Sequence, residues 1–218
     1  MMNAKDSLFE MLVDAVPFSF VKNLVQKTPL VYNEAYVSSY EDPRWDEWEA
    51  FSLLGHLRRA LFEKLFRQEA VNTGLIVDVE NNRIGSCPFT IIKAGNFLLT
   101  ASYSHSENKM LQSAIFRKQY ARVNEMVENP FLPFAEIDAV RLRDADGIYA
   151  NLLHGSASKK DFRSVGFMRI AIPSSDGSIY VENIDLFELL RVMQQRANAN
   201  QQVVLVDIAK PKLKRKIN

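Results

Sequence analysis

Cysteine occurs once, at Cys87, so the chain cannot close a disulfide on itself, and a reducing compartment suits it. Glycine is sparse: the eight glycines stand at 55, 74, 85, 95, 147, 155, 166 and 177, and no two are closer than eight residues. A dinucleotide fingerprint, a P-loop or a G-x-S-x-G elbow needs glycines within a few residues of one another, so that backbone can wrap a phosphate or turn sharply. Those chemistries are excluded. The three histidines, at 56, 105 and 154, are too far apart for an H-E-x-x-H helix, and one cysteine cannot support a zinc ribbon. No cofactor or metal motif is present. Asp144-x-Asp146-Gly147 begins like a calcium loop, but Ile148 stands where the next ligand belongs, which leaves a plain turn. No run approaches the roughly 18 uncharged apolar residues of a membrane span. Asp6, Glu10 and Asp14 interrupt what would be the apolar part of a secretory leader. The expectation is a cytoplasmic protein with no membrane contact, bacterial in style and size.

Charge of one sign is also lacking. The formal net charge is +1, yet five cations lie in residues 210–218 with no acid, which leaves residues 1–209 at −4. What the chain has is an ordinary globular composition, 47% hydrophobic, with fourteen Phe and seven Tyr to fill a core. The length of 218 residues suits a single domain over 1–209, mainly helical in 1–73 and sheet with helices in 74–209, followed by a basic tail at 210–218.

The periodicity predicts helix over 5–27, broken at Pro17 and ended by Pro29, and a longer helix over 43–70 capped by Asp42-Pro43. Trp45, Trp48, Phe51, Leu54, Leu57, Leu61, Leu65 and Phe66 form that helix's apolar stripe, and Gly74 stops it. Strands follow at 75–80, 88–93 and 97–103, the last two joined through Ala94-Gly95-Asn96, with Phe97, Leu99, Ala101 and Tyr103 on one face. Then come helix over 107–128, strands at 136–143 and 148–153, a polar loop at 154–163, strand at 166–172, helix over 184–197 and a last strand at 203–207. Tight turns between strands imply an α+β fold: a mostly antiparallel β-sheet with helices packed on one face and an N-terminal helical segment.

Three constellations carry chemistry. The 154–163 loop sets His154 beside Lys159, Lys160 and Arg163. With His105 it would meet the needs of a metal-independent ribonuclease, one group to take a proton, another to give one, and a cation for the phosphorane. The plainer reading is a solvated loop. Asp78 and Glu80 share one face of a strand, as do Glu136 and Asp138, and such pairs hold magnesium in nucleases. Restriction-type nucleases add an acid-x-Lys on the neighbouring strand. Lys93 fits the lysine, but Ile91 holds the acid's position, and Glu107-Asn108-Lys109 falls at a helix start. The tail residues Lys210, Lys212, Lys214, Arg215 and Lys216 could neutralise several phosphates, with Pro211 keeping them extended.

Arg58, Arg59 and Arg67 on one helix, and Arg117, Lys118 and Arg122 on another, read as solvated basic faces that would matter only if the fold aligned them with the tail. The stripe of Trp45, Trp48 and Phe51 could be a protein-docking surface, but its helical spacing favours packing in the core, with Trp45, near the helix start, the one most open to exposure. The leading expectation is a non-catalytic interaction protein, able to form a homo-oligomer, that binds a protein or nucleic-acid partner in a regulatory, toxin–antitoxin or phage-defence setting. A nuclease built on either constellation is the alternative.

Overall fold

The computed structural model describes residues 4–81, 88–107, 109–111, 114–128, 147–158 and 161–213, with backbone alone at 4–7, 126, 128 and 200–213. Helices α1 (Ala4–Ala15), α2 (Phe18–Tyr40) and α3 (Glu47–Asn72) come first. Strands β1 (Ile76–Asn81), β2 (Pro88–Ala94) and β3 (Phe97–Tyr103) form a meander. A helical segment follows: α4 (Ile115–Ala121), a 3₁₀ turn (Arg122–Asn124) and α5 (Glu125–Glu128). Strands β4 (Ile148–Ser156), β5 (Val165–Pro173) and β6 (Tyr180–Asp185) lead into α6 (Leu186–Leu213). The described strands form one six-stranded sheet in sequence order. Every pairing is antiparallel except β3 with β4, which the α4–α5 crossover makes parallel. This is the α+β architecture expected. No helix among the described residues is long and apolar enough to cross a membrane.

The core lies between the sheet and α1, α2, α3 and α6. Leu12, Phe20, Val21, Leu24, Phe62 and Phe66 meet Ile92, Phe97, Leu99, Ala150, Leu152, Met168 and Ile170 there. Each of these side chains larger than alanine stabilises by about 1.5–3 kcal/mol through burial. The shorter α4–α5 segment meets the opposite face, where Phe89 stacks on Phe116 and Tyr149 on Tyr120. Gly95, at φ +55°, turns β2 into β3 in a conformation that favours glycine.

Several boundaries differ from expectation. Helix α2 continues through Pro29 to Tyr40. The Pro29 ring points to solvent, while Val31, Tyr32, Ala35 and Ser39 extend the buried face that Leu24 and Thr28 begin. Tertiary burial thus overrides the lost backbone donor. Helix α3 starts at Glu47, not 43, because Asp46 caps it and Glu49 closes the capping box. Asp42 instead holds Arg44. The buried line of α3 runs Ala50, Leu54, Arg58, Phe62, Phe66 and Ala70, in steps of four. Trp48 falls off that line and is 83% exposed, Phe51 is 52% exposed against Phe162, and Trp45, before the helix, is 40% exposed. Arg58, expected on a solvated face, is buried.

Residues 107 and 109–111 are not helical; α4 begins at Ile115. The 154–163 stretch is a loop only after Ser156, since His154 belongs to β4. The expected strand at 203–207 is helical, because no glycine or proline between 186 and 207 stops α6, and Pro211 sits in its last turn. The strand expected at 136–143 lies outside the described residues.

Candidate functional site

Strands β2 and β3 pair over only three positions, Ile92↔Leu99, Lys93↔Leu98 and Ala94↔Phe97. Beyond them the strands part, and residues 88–91 of β2 pair with β1 alone. Helix α3 takes over the freed edge of β2. Arg59 donates to the Pro88 carbonyl at 3.1 Å, and the Thr90 N–H donates to the Glu63 carboxylate at 3.1 Å. The Ser104 N–H donates to the His154 carbonyl of β4 at 2.9 Å, which fixes the alternation along β3. The main-chain groups of Ala101 and Tyr103 therefore face the other way, into the gap.

A cavity of about 370 Å³ fills this gap. Two stacked ring pairs line it: Phe62 with His154, 3.7 Å between centroids, and Phe89 with Phe116, 4.2 Å. Arg59 enters from α3 and Arg117 from α4, so the fold brings the two basic helix faces together. A second cavity of about 300 Å³ adjoins it, sharing Arg59, Glu63 and Phe89 and adding His56, Lys64 and Arg67. Among the described residues the two cavities together present four Arg or Lys side chains and one carboxylate. Burial pushes the Glu63 carboxyl above its usual range, against the pull of its Thr90 hydrogen bonds and of Arg59 and Arg67. Arg117 is lowered chiefly by burial.

Beneath the cavity His154 is 2% exposed. Burial, then the nearby Arg58 charge, depresses it to about 3, so it is neutral at physiological pH. Its Nδ1 lies 2.8 Å from the Tyr32 hydroxyl. Burial raises the Tyr32 phenol, which keeps its proton and shares this hydrogen bond with the imidazole. Arg58 lies over the rings of Tyr32 (4.4 Å) and Tyr103 (5.1 Å). It donates to Ser156 Oγ at 3.2 Å and to the Phe162 carbonyl at 2.6 Å. A histidine held neutral in this way is a poor proton donor and a weak base.

The residues singled out in the sequence fall in separate places. His105 is exposed, whereas His154 is buried, and each meets the Tyr103 ring edge-on, with centroids 5.0 and 5.9 Å away. Arg163 is tied to α2, through Asn33 at 2.7 Å, Glu41 at 3.7 Å and the Tyr36 ring. Asp78 and Glu80 do share a face of β1, opposite Ile91 and Phe89, and Tyr120 donates to Glu80. Among the described residues no three His, Cys, Asp or Glu side chains gather as metal ligands. Glu107 pairs with Arg169 at 3.2 Å. Lys210 and Lys212 lie in the last turns of α6. Lys159, Lys160, Glu136, Asp138, Asp144, Asp146, Cys87, Lys214, Arg215 and Lys216 lie outside the described residues. Phe62, Glu63 and Phe116 were not anticipated. The one local signal was Arg59 followed by Phe62 and Glu63, three and four residues on along one helix.

Compared with protein-family models, curated proteins and solved structures, the chain matches none.

Proposed function

We propose that this chain is a non-catalytic binding protein whose partner is a nucleic acid, held along the groove from Arg117 through Arg59 to Lys64 and Arg67. The observation that carries this reading is the convergence of α3 and α4 cations on two adjoining cavities whose described lining contains a single carboxylate. Clustered cations neutralise phosphates and release counterions, and aromatic walls give bases a surface to stack on. The basic residues from Lys210 to Lys216 would add contacts. A catalytic reading has less support, since the depressed His154 supplies neither a general acid nor an efficient base at neutral pH.

The test is fluorescence anisotropy of labelled single-stranded and duplex oligonucleotides across a salt series, with each endpoint run on a gel. Four phosphate contacts on a single strand give a slope of log K against log salt of roughly −3. An Arg59→Gln/Arg117→Gln variant should flatten it. Absence of binding at about 50 mM salt would overturn the reading, because that is where phosphate contacts are strong. Cleaved oligonucleotide would overturn the word non-catalytic.

A further inference from the structure

The larger cavity has more to it than charge. Ala101 and Tyr103 each turn an N–H and a C=O into the gap, and β2, which would have met them, has parted from β3. A donor beside an acceptor on a rigid strand matches the edge of a nucleobase, which carries both. The two stacked ring pairs, Phe62–His154 and Phe89–Phe116, line the same cavity. The cavity's volume, about 370 Å³, lies within the range of roughly 300–1,000 Å³ typical of small-ligand sites. Arg59 and Arg117 flank it from opposite helices, where a phosphate attached to a bound base would need a cation.

From this we infer that the cavity between β2 and β3 takes one unstacked nucleobase of a single strand, its edge read by the main chain of Ala101 and Tyr103. The inference rests on the nucleic-acid reading of the groove and narrows it to single strands, because a base paired in a duplex cannot enter. Stacking on the ring pairs offsets the loss of stacking within the strand. An extended peptide could approach the same main-chain groups. Only two residues of β3 face the gap freely, however, which is too short for a strand to be added with useful affinity, and a neutral peptide makes no use of the two arginines.

The experiment is an NMR titration of the ¹⁵N-labelled full chain with the four ribonucleoside monophosphates, and with ribose 5-phosphate as a control lacking the base. Saturable shifts of the Ala101 and Tyr103 amides are expected, with ribose 5-phosphate at least about tenfold weaker, since base stacking supplies the difference. Phe116→Ala, on the partly exposed α4, should weaken nucleotide binding roughly tenfold and leave ribose 5-phosphate unchanged. Equal binding of ribose 5-phosphate, or shifts confined to residues other than those lining the cavity, would overturn the base site. The oligonucleotide salt series separates the two claims. Oligonucleotides that bind while mononucleotides do not would remove the base site and keep the groove. Mononucleotides that bind while oligonucleotides do not would remove the groove and overturn the single-strand site, leaving a pocket for free nucleotides.

Discussion

His154 was singled out in the sequence as a titrating group in a polar loop, and the fold makes it the opposite. It lies between Phe62 and Tyr32 with its imidazole neutral. The consequence is a pH dependence of stability whose sign follows from linkage. The unfolded chain protonates this histidine near 6.5, whereas the folded chain does so only near 3. Between those values the unfolded state binds more protons, so stability is complete above pH 6.5 and is lost as pH falls, by about 1.4 kcal/mol per unit within the window. Denaturant unfolding at pH 7.5 and near pH 5 should show this loss in the wild type and a smaller one in His154→Gln. Glu63 has the reverse character. Its raised carboxyl takes up a proton at higher pH than an ordinary glutamate, and the groove then loses the one negative charge among its described lining residues. Oligonucleotide affinity should therefore rise as pH falls through that transition. Glu63→Gln should bind more tightly at pH 7 and show a flatter pH profile in the same anisotropy assay. A variant that binds more weakly would mean that the carboxylate orders the site rather than opposing the ligand.

Among the elements, the α4–α5 segment depends on one side chain for its place. Asn124, fully buried, donates to the carbonyls of Tyr149 (2.9 Å) and Pro173 (2.7 Å) and accepts from the Tyr149 N–H at 2.8 Å. It bridges β4 and β5 beyond the last paired residues, Asn151 and Ala171, at a position where Pro173 has no N–H to offer. Asn124→Ala would leave three buried backbone groups without partners. A loss of about 2–4 kcal/mol in unfolding free energy is expected, at the upper end for single substitutions. If Asn124→Ala were neutral, water would have to replace the bridge. The same reasoning explains what was legible at this scale. The turn chemistry of Gly74 and Ala94-Gly95-Asn96 is local, so the end of α3 and the β2–β3 hairpin could be read to within a few residues, whereas the start of α3 was misplaced because Asp42-Pro43 was read as the cap that Asp46 supplies. Pro29 could not be read correctly, because what keeps α2 helical there is the burial of Val31, Tyr32 and Ala35 against the rest of the fold.

On the scale of the whole molecule, the parting of β2 and β3 creates the candidate site, and α3 stabilises that parting by offering Arg59 and Glu63 in place of a strand. The exposed aromatics at the start of α3 lie outside this arrangement. Trp48→Ser should change stability by no more than about 0.5 kcal/mol, as befits an exposed side chain, in a thermal or denaturant melt. A larger loss would show that the indole is covered in solution, by another chain or another copy. The sequence by itself determined the class of fold, the meander, the exclusion of glycine-rich phosphate loops and the supply of cations on two helices. All of these follow from spacing along the chain, because residue period and turn chemistry act over a few residues. Only the tertiary structure decided that Arg58 and His154 are buried, that Trp48 is not, and that Arg59 and Arg117, 58 positions apart, line one cavity. Those facts depend on which helix covers which part of the sheet, and the free energy that selects such packing is summed over many distant contacts, none of which has a local signature.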